Sequence, residues 1–256
     1  MFRVAIPARH ASTRLPGKPL APLAGRTMIE HVYRLAMRSS AMEVVVVTDD
    51  ERIRAACAAF GAAVEMSSAS HPSGTDRIAE LAVRRAWTDD SVVVNVQADE
   101  PMLPPTLIDQ AAALLAADRQ ADIATLCTPI TGLAEYLDPN VVKVVMQSND
   151  RALYFSRAPV PWNRDGAPAG LASQCEFRGS FRHLGIYAYR VGALRRFAAS
   201  PPSKLERLEE LEQLRALQMG LGIAVAVARE TPGPGVDTAA DLRSVEVLMT
   251  TRGNHE

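Results

Sequence analysis

Short apolar runs alternate with stretches of helical periodicity over the N-terminal half of the chain. Apolar residues are consecutive at positions 4–6, 44–47 and 92–94, and most of them are β-branched, which predicts buried strands. Between and after these runs, apolar residues recur every three or four positions, as in 29–36 and 107–115, which predicts helices. The alternation predicts an α/β fold whose mostly parallel sheet is flanked by helices. Ligands are expected at the carboxyl ends of its strands.

The pattern changes after about residue 122, where strand-like runs follow one another with little helix between them. The runs are "DIATLCTPI", "NVVKVVMQ", "ALYFSR" and "RHLGIYAYR", and "SND" at 148–150 is typical of a hairpin turn. We therefore expect a β-rich lobe over about 128–190 within a single domain that spans 1–256. The segment 204–219, "KLERLEELEQLRALQM", predicts one long helix, followed by a last strand in "GIAVAVA" and a Gly/Pro loop that opens a helix.

Composition narrows the class of protein. With 256 residues and 48% hydrophobic content, the chain can bury the core of one large domain. Lys and Arg total 28 against 29 for Asp and Glu, so there is no general positive field for nucleic acid or an anionic membrane. The three cysteines, Cys57, Cys127 and Cys175, lack CxxC spacing, which argues against a disulfide framework or a cysteine metal site. No run approaches the ~18 apolar residues of a membrane span, and we expect a cytoplasmic protein.

A basic loop, "ARHASTRLPGK" at 8–18, directly follows the first predicted strand. It lacks the glycine pattern of a dinucleotide-binding fingerprint, and Ser12 and Pro19 stand where a Walker A loop needs Gly and Ser or Thr. Its charged and hydroxyl side chains are Arg9, Ser12, Thr13, Arg14 and Lys18. Arginine forks, a lysine ammonium and hydroxyl donors at the end of a strand suit phosphate oxygens. A solvated basic loop is the alternative that the residues alone leave open.

One acidic residue follows a predicted strand in a position that suits a metal ion, and a second, taken by itself, is an ordinary turn residue. Asp99 comes just after the strand-like run that begins at 92, and Asp237 lies in "PGPGVDTAADL". Carboxylates are the hard oxygen ligands that Mg²⁺ prefers. Each aspartate, and Glu100 beside the first, is also compatible with an ordinary turn or capping role.

Seven segments, in order along nearly the whole chain, resemble the 3-deoxy-manno-octulosonate (KDO) cytidylyltransferases, or CMP-KDO synthetases. They are "PARHASTRLPGKPL", "SGTDR", "VNVQADEP", "ALYFSRAPVPW", "RHLGIYAYR", "LEQLR" and "PGVDT". The resemblance implies a Rossmann-like nucleotidyltransferase sheet and the reaction of CTP with KDO to give CMP-KDO and diphosphate, for lipopolysaccharide biosynthesis. It also implies Mg²⁺ as cofactor and a homodimer that pairs through the β-rich lobe, which would also bind the sugar.

The resemblance further assigns roles to individual residues. It implies that the CTP phosphates are contacted by Arg9, Ser12, Arg14 and Lys18. The cytosine and ribose would be surrounded by Ser73, Gly74, Arg77 and Gln97, and Mg²⁺ would be held by Asp99 and Asp237. The sugar acid would be bound by Arg157, His183, Tyr187, Glu212 and Gln213. Arg9, Arg14, Lys18 and Asp99 would be the catalytic set. From the residues alone, Ser73 is equally well a helix N-cap, and each sugar residue has a structural alternative.

The chain departs from the family pattern at His10, where an aromatic residue is frequent, and at Ala98, where glycine is usual. A glycine before Asp99 would permit a positive φ, so Ala98 raises the question of whether Asp99 is displaced. Two alternatives to a KDO enzyme stay open. One is a cytidylyltransferase for another sugar acid, such as 8-amino-KDO or a nonulosonate; the other is a catalytically silent nucleotide-sugar-binding protein.

Overall fold

The computed structural model describes residues 1–11, 14–166 and 169–253. Within them, the N-terminal half contributes four strands, paired in parallel, to a nine-stranded sheet. These strands are β1 (Arg3–Ala8), β4 (Val44–Thr48), β5 (Val64–Met66) and β6 (Val92–Asn95), while β2 (Pro22–Leu23) and β3 (Arg26–Thr27) form a separate ribbon. Strand β1 lies between β4 and β6, and β5 pairs with the far side of β4, all in parallel. The apolar runs of the sequence therefore form central strands, as predicted.

The C-terminal half adds five strands to the same sheet, and with them the antiparallel pairs of that sheet as well as one more parallel pair. These strands are β7 (Ile123–Pro129), β8 (Lys143–Met146), β9 (Ala152–Ser156), β10 (Phe181–Arg190) and β11 (Ile223–Val227). The order is β11-β7-β10-β6-β1-β4-β5, with β10 antiparallel to both of its neighbours and β8 joined to β10 and β9. The mostly parallel α/β class is confirmed, and the turn at 148–150 joins β8 to β9 as predicted. The strands of the 128–190 segment join the central sheet, and β10 lies in its middle.

Helices cover both faces of the sheet because alternate strand residues point to opposite sides. They are α1 (Met28–Ala36), α2 (Glu51–Ala59), α3 (Gly74–Arg84), α4 (Pro105–Ala117), α5 (Leu133–Leu137), α6 (Val191–Ala198), α7 (Lys204–Glu209), α8 (Gln213–Gln218) and α9 (Ala239–Gly253). Val4 and Ile6 pack with α1, α2 and α4 on one face, and Ala5 packs with α3 and α6 on the other. Among the described helices, none has the length and apolar character needed to cross a bilayer.

The prediction of one long helix over 204–219 is wrong. The segment breaks into α7 and α8 at Glu210, whose φ of 52° lies in the left-handed region. Long-range contacts hold the break: the Glu209 carboxylate accepts hydrogen bonds from Ser156 Oγ (2.8 Å) and from the Arg157 backbone N–H (2.8 Å). The Glu212 carboxylate accepts one from Thr75 (2.8 Å). These contacts override local helix propensity, which is worth less than ~1 kcal/mol per residue.

Candidate active site

A cleft of about 610 Å³, here called the cation cleft, opens at the carboxyl ends of β1 and β6. Its walls are the loop after β1, the start of α3 and the residues that follow β6. The predicted site residues that line it are Arg9, Arg14, Lys18, Ser73, Gly74, Arg77, Gln97, Asp99, Glu212 and Asp237. The structure thus brings together the predicted phosphate, nucleoside and metal residues, although Ser12 lies outside the described residues.

Lys18 joins the two predicted metal ligands. Its Nζ lies 2.6 Å from Asp99 Oδ2 and 3.2 Å from Asp237 Oδ1, and it also donates to the backbone carbonyl of Val236 (3.0 Å). Arg14 Nη2 donates to the same Asp237 oxygen at 3.0 Å. Arg14 and Lys18 of the basic loop therefore contact the two carboxylates and are not simply solvated.

The pair of carboxylates fits a Mg²⁺ ion. Mg²⁺ is commonly held by one or two protein carboxylates and takes its other ligands from water and substrate phosphates. Asp99 and Asp237 converge on one cationic atom, so a small divalent ion could be shared between them. Among the described residues, no group of three or more His, Cys, Asp or Glu side chains could hold a metal ion.

Glu100 is a site residue for which sequence reasoning left only a turn role. Burial, reinforced by the negative charge of Asp99, raises its pKa to about 7. A Cβ placed on Gly235 would lie 2.9 Å from Glu100 Oε1, so a side chain there would require the Glu100 carboxyl group to move. The sequence indicated Glu100 only through its position beside Asp99. The burial that raises the pKa of Glu100 cannot be seen in the sequence.

The start of α3 forms the nucleoside side of the cation cleft. Ser73 is the N-cap of α3 and makes a reciprocal capping box with Asp76, so the N-cap interpretation of Ser73 is correct and is compatible with a binding role. A Cβ on Gly74 would lie 3.0 Å from Pro7, which explains a glycine at this close approach. Arg77 is 4% exposed, and its guanidinium donates to Asp49 (2.8 Å) and Ser67 (2.9 Å). Its terminal nitrogens therefore have protein partners.

A second, smaller cavity of about 220 Å³, here called the Tyr187 cavity, adjoins the cation cleft at Gly74, Gln97 and Glu212. Of the predicted sugar residues, Tyr187, Glu212 and Gln213 line it. Burial raises the pKa of Glu212, while the hydrogen bond from Thr75 opposes that shift. The cavity is a polar enclosure directly beside the predicted nucleotide site.

His183 lines a third space of about 520 Å³, which shares Gln97, Asp99 and Asp237 with the cation cleft. Its Nε2 lies 3.0 Å from Thr125 Oγ1, and that hydroxyl also lies 2.7 Å from the carbonyl oxygen of Ile186. Because the hydroxyl carries one proton and gives it to the carbonyl, the assigned tautomer has Nε2–H donating to Thr125. Burial lowers the pKa of His183 to about 3, so the ring is neutral near pH 7.

Arg157 lies apart from these three spaces. Its Nε donates to the carbonyl oxygen of Glu209 (2.6 Å) and its Nη1 to that of Pro139 (3.0 Å). The structure thus ties Arg157 to the turn between α7 and α8 and does not bring it into the Tyr187 cavity with Glu212 and Gln213.

Comparisons with known proteins identify similar chains over almost the whole length. The sequence profile of a family described as Cytidylyltransferase matches residues 4–223. A 3-deoxy-manno-octulosonate cytidylyltransferase of Halorhodospira halophila is 54% identical over 252 residues, covering 98% of each chain. One of Thioalkalivibrio sulfidiphilus is 52% identical over 248 residues, covering 97% of this chain and 98% of the relative.

Solved structures agree with that similarity. The structure of CMP:2-keto-3-deoxy-manno-octonic acid synthetase complexed with CTP superposes with a TM-score of 0.88 at 39% identity, covering 98% of this chain and 100% of the other. A 4-diphosphocytidyl-2C-methyl-D-erythritol synthase superposes with a TM-score of 0.62 at 15% identity, covering 97% and 98%, and shows the fold alone.

Proposed function

The chain belongs to the 3-deoxy-manno-octulosonate cytidylyltransferase family, and we propose that it transfers the cytidylyl group of CTP to KDO, releasing diphosphate. One observation carries the proposal: Lys18 Nζ lies within 3.2 Å of both Asp99 and Asp237, inside the cleft that Arg9 and Arg14 also line. Cations and hard oxygen ligands are thus concentrated where a nucleoside triphosphate would bind.

The reaction needs alignment and charge more than a protein nucleophile. The anomeric oxygen of KDO attacks the α-phosphorus in line, the bond from that phosphorus to the oxygen that bridges to the β-phosphorus breaks, and diphosphate leaves with the bonding electrons. The hydroxyl proton is released. Arg9, Arg14 and Lys18 line the cation cleft. In the proposed reaction their charges stabilise the negative charge of the leaving group, which lowers the barrier directly.

Mg²⁺ enters the proposal through Asp99 and Asp237. When bound, the ion would supply positive charge at the phosphates and help to orient the triphosphate. The two carboxylates hold Lys18 in its position, so the same side chains that would bind the ion also direct the lysine ammonium toward the cleft.

The nucleoside and the sugar acid are assigned to the two sides of Gln97, which lines both the cation cleft and the Tyr187 cavity. Ser73, Gly74 and Arg77 serve the nucleoside side. Tyr187, Glu212 and Gln213 serve the sugar side, and the neutral His183 serves it from the third space. Arg157 supports them by fixing the turn that precedes Glu212.

We further propose a homodimer in the cytoplasm, whose product supplies lipopolysaccharide assembly. Support for pairing through 128–190 comes from β9, which extends the sheet beyond β8, and from Leu153 and Trp162, which are 53% and 43% exposed. All three cysteines are free, as expected in a reducing compartment.

Diphosphate release from the purified chain with Mg²⁺ tests the proposal. CTP, UTP, ATP and GTP are each crossed with KDO, 8-amino-KDO and N-acetylneuraminate. We expect diphosphate release only in the combination of CTP with KDO. Release with CTP and another acid would reassign the sugar, and silence throughout with CTP still bound would indicate a nucleotide-binding protein without catalysis.

Two variants test the metal assignment in the same assay. Asp99→Asn and Asp237→Asn should each reduce turnover greatly while the fold is retained, because each removes a charged oxygen ligand. A near-normal rate in either variant would remove that residue from the metal site.

A further inference from the structure

Asn95 carries a buried polar atom that the described protein leaves without a partner. It is the last residue of β6 and a polar interruption in the apolar run 92–96. The residue is 2% exposed, and its Oδ1 has no hydrogen-bond partner among the described residues. A buried polar atom without a hydrogen-bond partner lowers the stability of the folded state by about 1–3 kcal/mol. Such atoms are therefore uncommon in native proteins, and each one calls for a physical explanation.

The strand geometry directs Asn95 to the Tyr187 cavity. Val93 packs on the face of the sheet that α3 covers, and Asn95, two positions later, points to that same face. Asn95 also lies directly opposite Tyr187 of β10 in the antiparallel pair, so the two side chains are neighbours. Both line the Tyr187 cavity.

The chemistry of this cavity selects the kind of group that Asn95 can meet. Its other polar side chains include Thr75, Gln97, Tyr189, Glu212 and Gln213. Among the described residues that line it, none is Lys, Arg or His, so a carboxylate or phosphate would find no cation there. Hydroxyls, amides and the carboxylates of Glu210 and Glu212 suit a neutral polyhydroxyl chain, whose O–H groups both donate and accept.

We propose that Asn95 Oδ1 accepts a hydrogen bond from a hydroxyl of the carbon chain of the sugar acid, which makes Asn95 a specificity-determining residue. The inference rests on the proposed function and adds an orientation to it. The hydroxyl-bearing end of the sugar enters the Tyr187 cavity, and the carboxylate of the sugar stays outside it, on the side of the cation cleft.

A site of this kind discriminates strongly against a missing hydroxyl. An analogue without the recognised O–H would leave Asn95 Oδ1 buried and unpaired in the complex, and such mismatches cost more than the loss of an exposed contact. The expected penalty in kcat/KM for the sugar is about ten- to a hundredfold, from one unsatisfied buried acceptor.

The test combines a variant with modified substrates. Asn95→Leu removes the acceptor at similar side-chain size, and Asn95→Ala removes it without added branching, in case the leucine variant does not fold. Wild type and variants are assayed for diphosphate release with KDO and with analogues that each lack one hydroxyl of the chain. The matched control is Ser180→Ala: Ser180 is also 2% exposed with an unpartnered hydroxyl, but it lies outside the three spaces of the site.

The expected result is a fall of about ten- to a hundredfold in kcat/KM for KDO in Asn95→Leu, with the KM for CTP unchanged. With wild type, kcat/KM for one deoxy analogue should be lower than kcat/KM for KDO by the same factor. With Asn95→Leu, the same analogue should show no further loss of kcat/KM relative to KDO. Ser180→Ala should behave as wild type. An unchanged kcat/KM for KDO in Asn95→Leu, or an equal rise in the KM of both substrates, would overturn the inference.

A binding measurement separates this inference from the proposed function. KDO should raise the melting temperature of the wild-type chain and have much less effect on Asn95→Leu. If wild type releases no diphosphate but shows that difference, the proposed function fails and the role of Asn95 stands. If KDO shifts wild type and Asn95→Leu equally, or shifts neither, the role of Asn95 is refuted.

Discussion

Replacing Lys18 by Met tests whether this one cation holds the two predicted metal ligands together. Lys18 and Arg14 contact the same Asp237 oxygen at similar distances, 3.2 and 3.0 Å. Their environments differ, because the Lys18 side chain is 14% exposed and that of Arg14 is 62% exposed. Lys18 also contacts Asp99 at 2.6 Å. Arg14→Met is therefore a matched control in which a similar contact is lost at an exposed position.

Exposure decides the magnitude of each effect. A hydrogen bond to a charged group in a partly buried site contributes about 1.5–3 kcal/mol, whereas an exposed ion pair contributes about 0–1 kcal/mol. Without Lys18, the carboxylates of Asp99 and Asp237 also lose the cation between them. We expect Lys18→Met to lower the free energy of unfolding by about 2–3 kcal/mol and Arg14→Met by less than about 1 kcal/mol.

Urea unfolding at pH 7 in the absence of divalent ions measures both values. A second series with Mg²⁺ tests whether the ion binds where the Lys18 ammonium contacts Asp99 and Asp237. An ion that binds the folded state stabilises it by linkage. Because Lys18→Met removes the competing ammonium, Mg²⁺ should stabilise this variant more than wild type. Equal losses in Lys18→Met and Arg14→Met, or equal stabilisation of Lys18→Met and wild type by Mg²⁺, would refute the reasoning.

Three further predictions concern backbone geometry and titration. Ala86 has φ 50° just after α3, so Ala86→Gly should raise the free energy of unfolding by about 1 kcal/mol. Ala113→Gly, in the exposed interior of α4, should lower the free energy of unfolding by about 1 kcal/mol. Urea unfolding measures both values, and a loss of stability in both variants would contradict the prediction. Ala98 is not among the non-glycine residues with positive φ in the described chain, so Ala98→Gly should leave kcat unchanged, and an increase would show that the methyl group displaces Asp99. His183 has its pKa lowered from 6.5 to about 3, so the unfolded state takes up its proton first as the pH falls. Below about pH 6.5, wild type should lose roughly 1 kcal/mol of stability per pH unit relative to His183→Gln, and parallel stability profiles would count against a buried neutral ring.

The apolar pattern was sufficient to predict most central strands and the fold class. Continuous apolar runs such as 44–47 and 92–94 are typical of strands in a sheet that is covered by helices on both faces. The helices predicted between these runs indicate crossover connections, which join parallel strands. The direction and place of β10 could not be predicted in this way. Strand alternation is the same in both directions, and the partners of β10 are set by contacts between residues far apart in sequence.

The broken helix shows the same limit at closer range. Helical periodicity continues through Glu210, so the local pattern predicts an uninterrupted helix over 204–219. The left-handed residue is held by the contacts of Glu209 with Ser156 and Arg157, more than fifty positions earlier. Long-range contacts of this kind leave no periodic signal in the sequence.

For the candidate site, residue type predicted the chemistry, and the structure added the geometry. Lys18 and Asp237 are 219 positions apart and lie in hydrogen-bond contact. Arg157 lies outside the three spaces of the site and is tied to the turn between α7 and α8, which no spacing rule indicated. Asn95 had a sequence signal, since it interrupts an apolar run, but its unpartnered oxygen is visible only in the folded chain. The roles of these residues in binding stay predictions.

The most direct test of the central claim is to follow the α-phosphate itself. The purified chain is incubated with Mg²⁺, KDO and CTP radiolabelled either at the α-phosphate or at the γ-phosphate, and the products are separated. Cytidylyl transfer predicts that the α label appears in the sugar nucleotide and the γ label in diphosphate. Label from the γ-phosphate on the sugar, or α label that never leaves the nucleotide pool for the sugar, would contradict the account.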